Sequence, residues 1–165
     1  MKAHFLQLAD YNQWANARLY KAASTLSREA QHRDVGAYFT SLHGTLNHIL
    51  VADQLWLARL EQNLPPHSDL DVIVHDDFGA LQHARANQDS AAKAFIETLS
   101  DTDIAADFDY RDMSNTARRM TRREILTHMF NHATHHRGQA HQSLRQLGII
   151  EPPALDLPYF VLGLR

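Results

Sequence analysis

The sequence predicts an all-α protein, a four-helix bundle with a short helical tail at its C-terminal end. Three observations carry that expectation. Four long segments repeat apolar residues at the three- and four-residue spacing of a helix with one buried stripe. Their connections contain the breakers and caps that helix ends require. The 165 residues, 44% of them hydrophobic, suffice for one domain (residues 1–165) with its own core.

The first helix is expected from Lys2 to Thr25, with Phe5, Leu8, Ala9, Ala15, Leu19, Ala22 and Leu26 in one stripe. The second runs from Gly36 to Glu61 through Leu42, Leu46, Ile49, Leu50, Trp56, Leu57 and Leu60, and stops before Pro65-Pro66. The third, Phe78 to Leu99, is weaker and more polar. The fourth opens on Thr121-Arg-Arg-Glu124, a capping box in which threonine and glutamate satisfy orphan amides of the first turn. It continues through Leu126, Met129, Ala133, Ala140 and Leu144 to Gly148, a natural C-terminal stop. Asn63 to Asp77 is too long for a tight turn, so the second and third helices are expected to be joined by a crossover. Ala106 to Met113 alternates in hydrophobicity before the turn-like Ser114-Asn115, which predicts a small hairpin. After Pro152-Pro153, residues Leu155 to Leu164 form a short apolar tail expected to dock on the helices.

Composition narrows the chemistry. A net charge of −3 provides no general attraction to nucleic acid or an anionic membrane. Cysteine is absent, so the chain has no thiolate ligand and no thiol nucleophile. Any sulfur chemistry must use a small-molecule thiol. The start lacks the apolar core of a signal peptide and no run approaches spanning length, so a cytoplasmic protein is expected. Histidine is the anomaly, with twelve in the chain.

Four of them, His128, His132, His135 and His136, fall within nine residues of the fourth helix. At 100° per residue, His136 lies about 50° from the centre of the apolar stripe and His132 about 90°. His128 and His135 lie further round, at about 130° to 150°. His132 and His136 therefore sit at the core edge and, four residues apart, can aim at one point. His128 shares the same spacing with His132 and is the competing choice. His135 and His141 fall on other faces. A third ligand must come from another helix, and His48, in mid-helix with apolar neighbours, is the natural donor. Three imidazoles leave coordination positions open for water or substrate. All-nitrogen ligation suits zinc, nickel, iron or copper.

Three stretches carry a family resemblance: Tyr11-Asn12-Gln-Trp14-Ala15-Asn16, Leu46-Asn-His48-Ile-Leu-Val-Ala-Asp53-Gln-Leu-Trp56, and Asn131-His132-Ala-Thr-His135-His136-Arg137-Gly138-Gln139. The chain resembles the DinB family (DinB/YfiT-like metalloenzymes). The resemblance implies an up-down-down-up four-helix bundle, often dimeric, with a divalent metal on His48, His132 and His136. It also implies, for members of known activity, thiol-dependent transfer or isomerisation with a low-molecular-weight thiol such as bacillithiol or mycothiol. Related proteins are described as metal-dependent hydrolases.

Two other features stand out. Asn12, Asn16 and Asp53 fall on apolar faces, and buried polar groups must be paired. A hydrogen-bonded network of Asp53 with Asn12 or Asn16, reaching Arg137, is expected there. Arg118, Arg119, Arg122 and Arg123 form a basic cluster at the start of the fourth helix, read as a solvated patch or as a dock for an anionic thiol. The functional expectation is a cytoplasmic homodimer acting on small molecules, without nucleic-acid or membrane partners. Its divalent metal, zinc or nickel with iron as the alternative, activates a thiol for transfer to an electrophile. A metal-dependent hydrolase and a non-catalytic metal-binding stress-response dimer are the alternatives. Asp53, His128, His135 and Arg137 are the residues expected to support the ligands.

Overall fold

The computed structural model describes residues 1–67 and 69–164. Among them are seven helices and one two-stranded sheet: α1 (Lys2–Ala23), α2 (Arg28–His32), α3 (Leu42–Leu60), α4 (Phe78–Thr98), α5 (Asp101–Ala105), β1 (Asp107–Arg111), β2 (Ala117–Thr121), α6 (Arg122–Gln146) and α7 (Leu157–Val161). The protein is thus mostly helical; the all-α description omits the antiparallel β1–β2 hairpin, which stands where the alternation from Ala106 to Met113 predicts one. No described helix is long and apolar enough to cross a membrane.

Each helix boundary follows from local chemistry. Thr121 caps α6 and forms the capping box with Glu124, and Gly148 beyond its end takes φ +97°, where a side chain would be strained. α1 ends two residues earlier than the periodicity implies, because Ser24 and Thr25 turn their hydroxyls back onto the carbonyls of Lys21 and Ala22. α3 begins at Leu42, six residues later than expected. Ser41 is its N-cap, accepting from the Gly44 amide, while Gly36 and Thr40 take φ +70° and +65° in the preceding turn. Those positive dihedrals cannot continue into a right-handed helix.

Four long helices pack side by side, with α1 and α3 each touching both α4 and α6. α1 and α4 run antiparallel, since Lys2 reaches the Glu97 carbonyl while Asn16 reaches Asp89. α3 and α6 also run antiparallel, with Trp56 beside His128 and His48 beside His136. α3 and α4 run in the same direction: Leu46 and Leu81 share one core cluster, Leu60 and Ile96 the other. The link between them must therefore travel back along the helices, as the length of the Asn63–Asp77 segment implied.

The two apolar clusters are separated by a layer of six buried polar residues: Asn12, Asn16, Asp53, Arg85, Asp89 and Arg137. The expected pairing of Asp53 with Asn12 or Asn16 is corrected here. Asp53 pairs with Arg85 at 2.8 Å, and Arg85 also lies 2.8 Å from Asp89. Asn12 and Asn16 donate to Asp89 at 3.0 Å, and their carbonyl oxygens accept from Arg137. The connection to Arg137 thus exists, but it passes through two charged residues of α4. The tail docks as expected: Phe160 packs against Tyr11 and Trp14, and the Tyr11 hydroxyl donates to the Leu155 carbonyl.

Candidate metal centre

The antiparallel contact of α3 with α6 brings three imidazoles to one point. His48 Nε2 lies 3.3 Å from His132 Nε2 and 3.2 Å from His136 Nε2. The ligating atoms of all three lie within 4.8 Å of one another. Nitrogens bound at 2.0–2.1 Å in a tetrahedron sit about 3.3–3.4 Å apart, so the observed spacing fits one ion.

Their hydrogen bonds set which nitrogen is free. His48 Nδ1 lies 3.0 Å from the Leu70 carbonyl, and His136 Nδ1 lies 2.8 Å from Gln139 Oε1. Both partners can only accept, so each Nδ1 carries the proton and each Nε2 presents a lone pair. Two lone pairs 3.2 Å apart repel unless a cation or proton lies between them. Donation of the distal N–H to an oxygen is also how ligating histidines are held in register. His132 Nδ1 is buried and has no such partner among the described residues.

Burial holds all three imidazoles below the usual histidine range. For His132 the value falls to about 3, burial being the largest cause and the neighbouring histidines adding to it. All three are neutral at pH 7, the form a metal requires.

The surroundings come from the loop before α3 and the crossover segment. The Phe39 ring stacks on His48 with centroids 3.8 Å apart and meets His136 edge-on. Asn47, fully buried, accepts from the amides of Val74 and His75 and donates to the His75 carbonyl. That clamp holds the segment whose Leu70 carbonyl orients His48. A cavity of about 390 Å³ opens over the trio, lined also by Tyr38, Asp71 and His135. The Phe39 loop lies so close to α3 that a Cβ at Gly44 would stand 2.2 Å from the Phe39 carbonyl oxygen. Gly44→Ala is accordingly expected to displace the loop and destabilise the protein by about 1–3 kcal/mol. Urea unfolding checks the loss, and unchanged stability would show that the loop gives way freely.

The expected supporting residues divide. His135 stacks edge-on against His136 and accepts from the amide of Gln139, the same side chain that holds His136. His128 is exposed and packs against Trp56, with its ring 5.6 Å from that of His132. Asp53 and Arg137 belong to the buried polar layer, with no hydrogen bond to the trio. The basic cluster is largely consumed by the hairpin. Arg119 makes a bidentate pair with Asp109, Arg118 pairs with Asp112, and the Arg122 guanidinium lies over Phe108. Arg118 and Arg119 stand on β2, before the helix. Gln139, Phe39 and Asn47 were missed as site residues, although Asn47 and Gln139 sit inside the quoted motifs.

A mostly helical chain whose two facing helices converge three neutral imidazoles beneath an open cavity has the makings of a histidine-ligated metal protein. The chain belongs to the DinB family, whose family model matches residues 1–161. It is similar to Protein DinB of Bacillus subtilis (strain 168), 24% identical over 163 residues that span 89% of this chain and 88% of that one. Its fold is similar to the crystal structure of a DinB-like protein from Bacillus cereus ATCC 10987. The TM-score is 0.71 at 22% identity, covering 91% of this chain and 94% of the other.

Proposed function

We propose that the protein is a metal-dependent enzyme in which His48, His132 and His136 hold a divalent ion, zinc or nickel, and a low-molecular-weight thiol is transferred to an electrophile. The observation that carries this reading is the pair of facing Nε2 lone pairs, 3.2 Å apart, with a third imidazole beside them. A bound divalent metal would supply Lewis acidity, lowering the pKa of a thiol or water in its open position. The residues supply the rest. The Leu70 carbonyl and Gln139 fix the ring orientations, Phe39 stacks on His48, and the cavity that Phe39 also lines leaves room for substrate over the three imidazoles. The absence of cysteine requires that the sulfur come from the small molecule.

One observation favours hydrolysis as the second reading. Asp71 lines the same cavity and is a carboxylate placed to take a proton from an attacking water. The paired helix contacts also support a four-helix bundle of up-down-down-up type forming one domain. Exposed Leu157, Val161, Leu162 and Leu164 support assembly of the C-terminal face into a homodimer.

The test is a panel of glutathione, bacillithiol, mycothiol and coenzyme A with a model electrophile, with and without chelator. Chelator-sensitive consumption of one thiol is expected, with loss of that turnover in His132→Ala. No metal-dependent turnover across the panel, with Asp71-dependent ester hydrolysis instead, would replace transfer by hydrolysis.

A further inference from the structure

A second cluster lies on the other side of Phe39, outside the trio. It joins His32 at the end of α2, His43 in the first turn of α3, and Asp76 just before α4. One ring nitrogen from each histidine and one Asp76 oxygen lie within 4.8 Å of one another. The His32 and His43 rings face each other with centroids 4.1 Å apart, and His32 Nε2 stands 3.3 Å from Asp76 Oδ1.

The hydrogen-bond logic of the first centre is repeated here. His32 Nδ1 lies 2.8 Å from the Arg28 carbonyl and His43 Nε2 lies 2.8 Å from the His75 carbonyl. Each carbonyl can only accept, so in the neutral rings the opposite nitrogens, His32 Nε2 and His43 Nδ1, present lone pairs. Both are buried atoms; His43 Nδ1 has no hydrogen-bond partner among the described residues, and His32 Nε2 faces only the Asp76 carboxylate. For His43, only 1% exposed, an unpaired nitrogen is costly and calls for an occupant. The second oxygen of Asp76 is held by Arg28 at 2.6 Å, so the carboxylate too has a partner that orients it. A cavity of about 340 Å³ opens onto the cluster, sharing Tyr38, Phe39 and Asp71 with the first.

We propose that His32, His43 and Asp76 form a second divalent transition-metal site, independent of the first. Two imidazoles and one carboxylate select zinc, cobalt or nickel over magnesium and calcium, which take oxygen ligands. The ion would tie α2, the first turn of α3 and the end of the crossover segment together. That segment also supplies Leu70 to His48, so filling the second site steadies one wall of the first.

Chelator-stripped full-length protein is titrated with zinc, and bound metal is counted after desalting. Wild type is expected to hold two equivalents and His132→Ala/His136→Ala one. Adding His32→Ala or Asp76→Asn to that variant removes the last. His32 and Asp76 are partly exposed, at 31% and 65%, so these changes spare the core, and buried His43 is left in place. Should the alanine variants fail to fold, long-range proton–nitrogen NMR of wild type reads the same point. The His32 Nε2 resonance is expected to move on zinc addition. An unmoved resonance overturns the site, as does a single equivalent that His136→Ala abolishes and His32→Ala spares. A single equivalent lost only with His32→Ala would instead overturn the first centre.

Discussion

Alanine in place of His136 is expected to remove one equivalent of bound zinc and all chelator-sensitive turnover, with little loss of fold. His48 and His132 would remain, and two imidazoles hold a divalent ion far less tightly than three. The side chain already borders the open cavity over the trio, so its removal widens that space and opens no new void in the apolar core. Metal analysis beside a thermal melt separates the two effects. Retention of the full zinc complement in a folded variant would sink the assignment.

The same centre imposes a pH dependence with a definite sign. His48, His132 and His136 titrate below the free histidine value in the folded chain, chiefly through burial. Between the unfolded value, about 6.5, and the folded ones, the unfolded chain binds more protons. Native stability is therefore present above about pH 6.5 and is lost as pH falls toward about 3, where His132 titrates. Metal retention follows the same direction, because each proton taken up removes a ligand lone pair. His136→Ala should flatten the acid limb of the metal-free protein, having one fewer depressed histidine. A limb as steep as wild type would place the acid sensitivity elsewhere.

Much of the fold was legible because helices advertise themselves through side-chain periodicity. The capping box at Thr121 and the stop at Gly148 are residues whose identity is their role. The convergence of three histidines that could hold a metal was legible for a related reason. His132 and His136 face one point only because α6 is a helix, and that spacing is visible in the chain. What escaped depends on partners distant in sequence or on backbone atoms. The Leu70 carbonyl that sets the His48 tautomer could be supplied by any residue. Arg119 looked like free charge until the hairpin register set Asp109 opposite it. Arg85 and Asp89 gave no sign of burial, because a polar residue on a helix is counted as exposed. Their burial makes α4 look weakly amphipathic, and that weakness was itself the trace of a polar layer. His43 and His32 went unpaired for want of α2, a five-residue helix too short for periodicity to reveal.

Arg85→Met is expected to be the most destabilising change in the polar layer, costing about 3–5 kcal/mol. The guanidinium side chain is 3% exposed and lies 2.8 Å from both Asp53 and Asp89, themselves 7% and 2% exposed. Methionine keeps much of the volume, so the loss reports charge and not a cavity. It leaves two buried carboxylates with no cation between them, and Arg137 is already engaged by Asn12, Asn16 and Thr134. The cost must depend on pH. Burial already pushes the Asp53 carboxyl up to about 6 against the pull of Arg85, and losing that pull raises it further. An unfolded aspartate titrates at about 3.9. Across the interval between the two values the variant's native state holds a proton that the unfolded chain has released, so its stability falls as pH rises. Urea midpoints at pH 5 and pH 8 should show a deficit relative to wild type that is smaller at pH 5. Asp53→Asn added to Arg85→Met should recover part of the loss at pH 8, because it removes one of the two stranded charges. An equal deficit at both pH values, or no recovery in the double variant, would mean that Arg85 acts through packing alone. Zinc bound per folded molecule should be unchanged in both variants, since neither residue touches the three imidazoles.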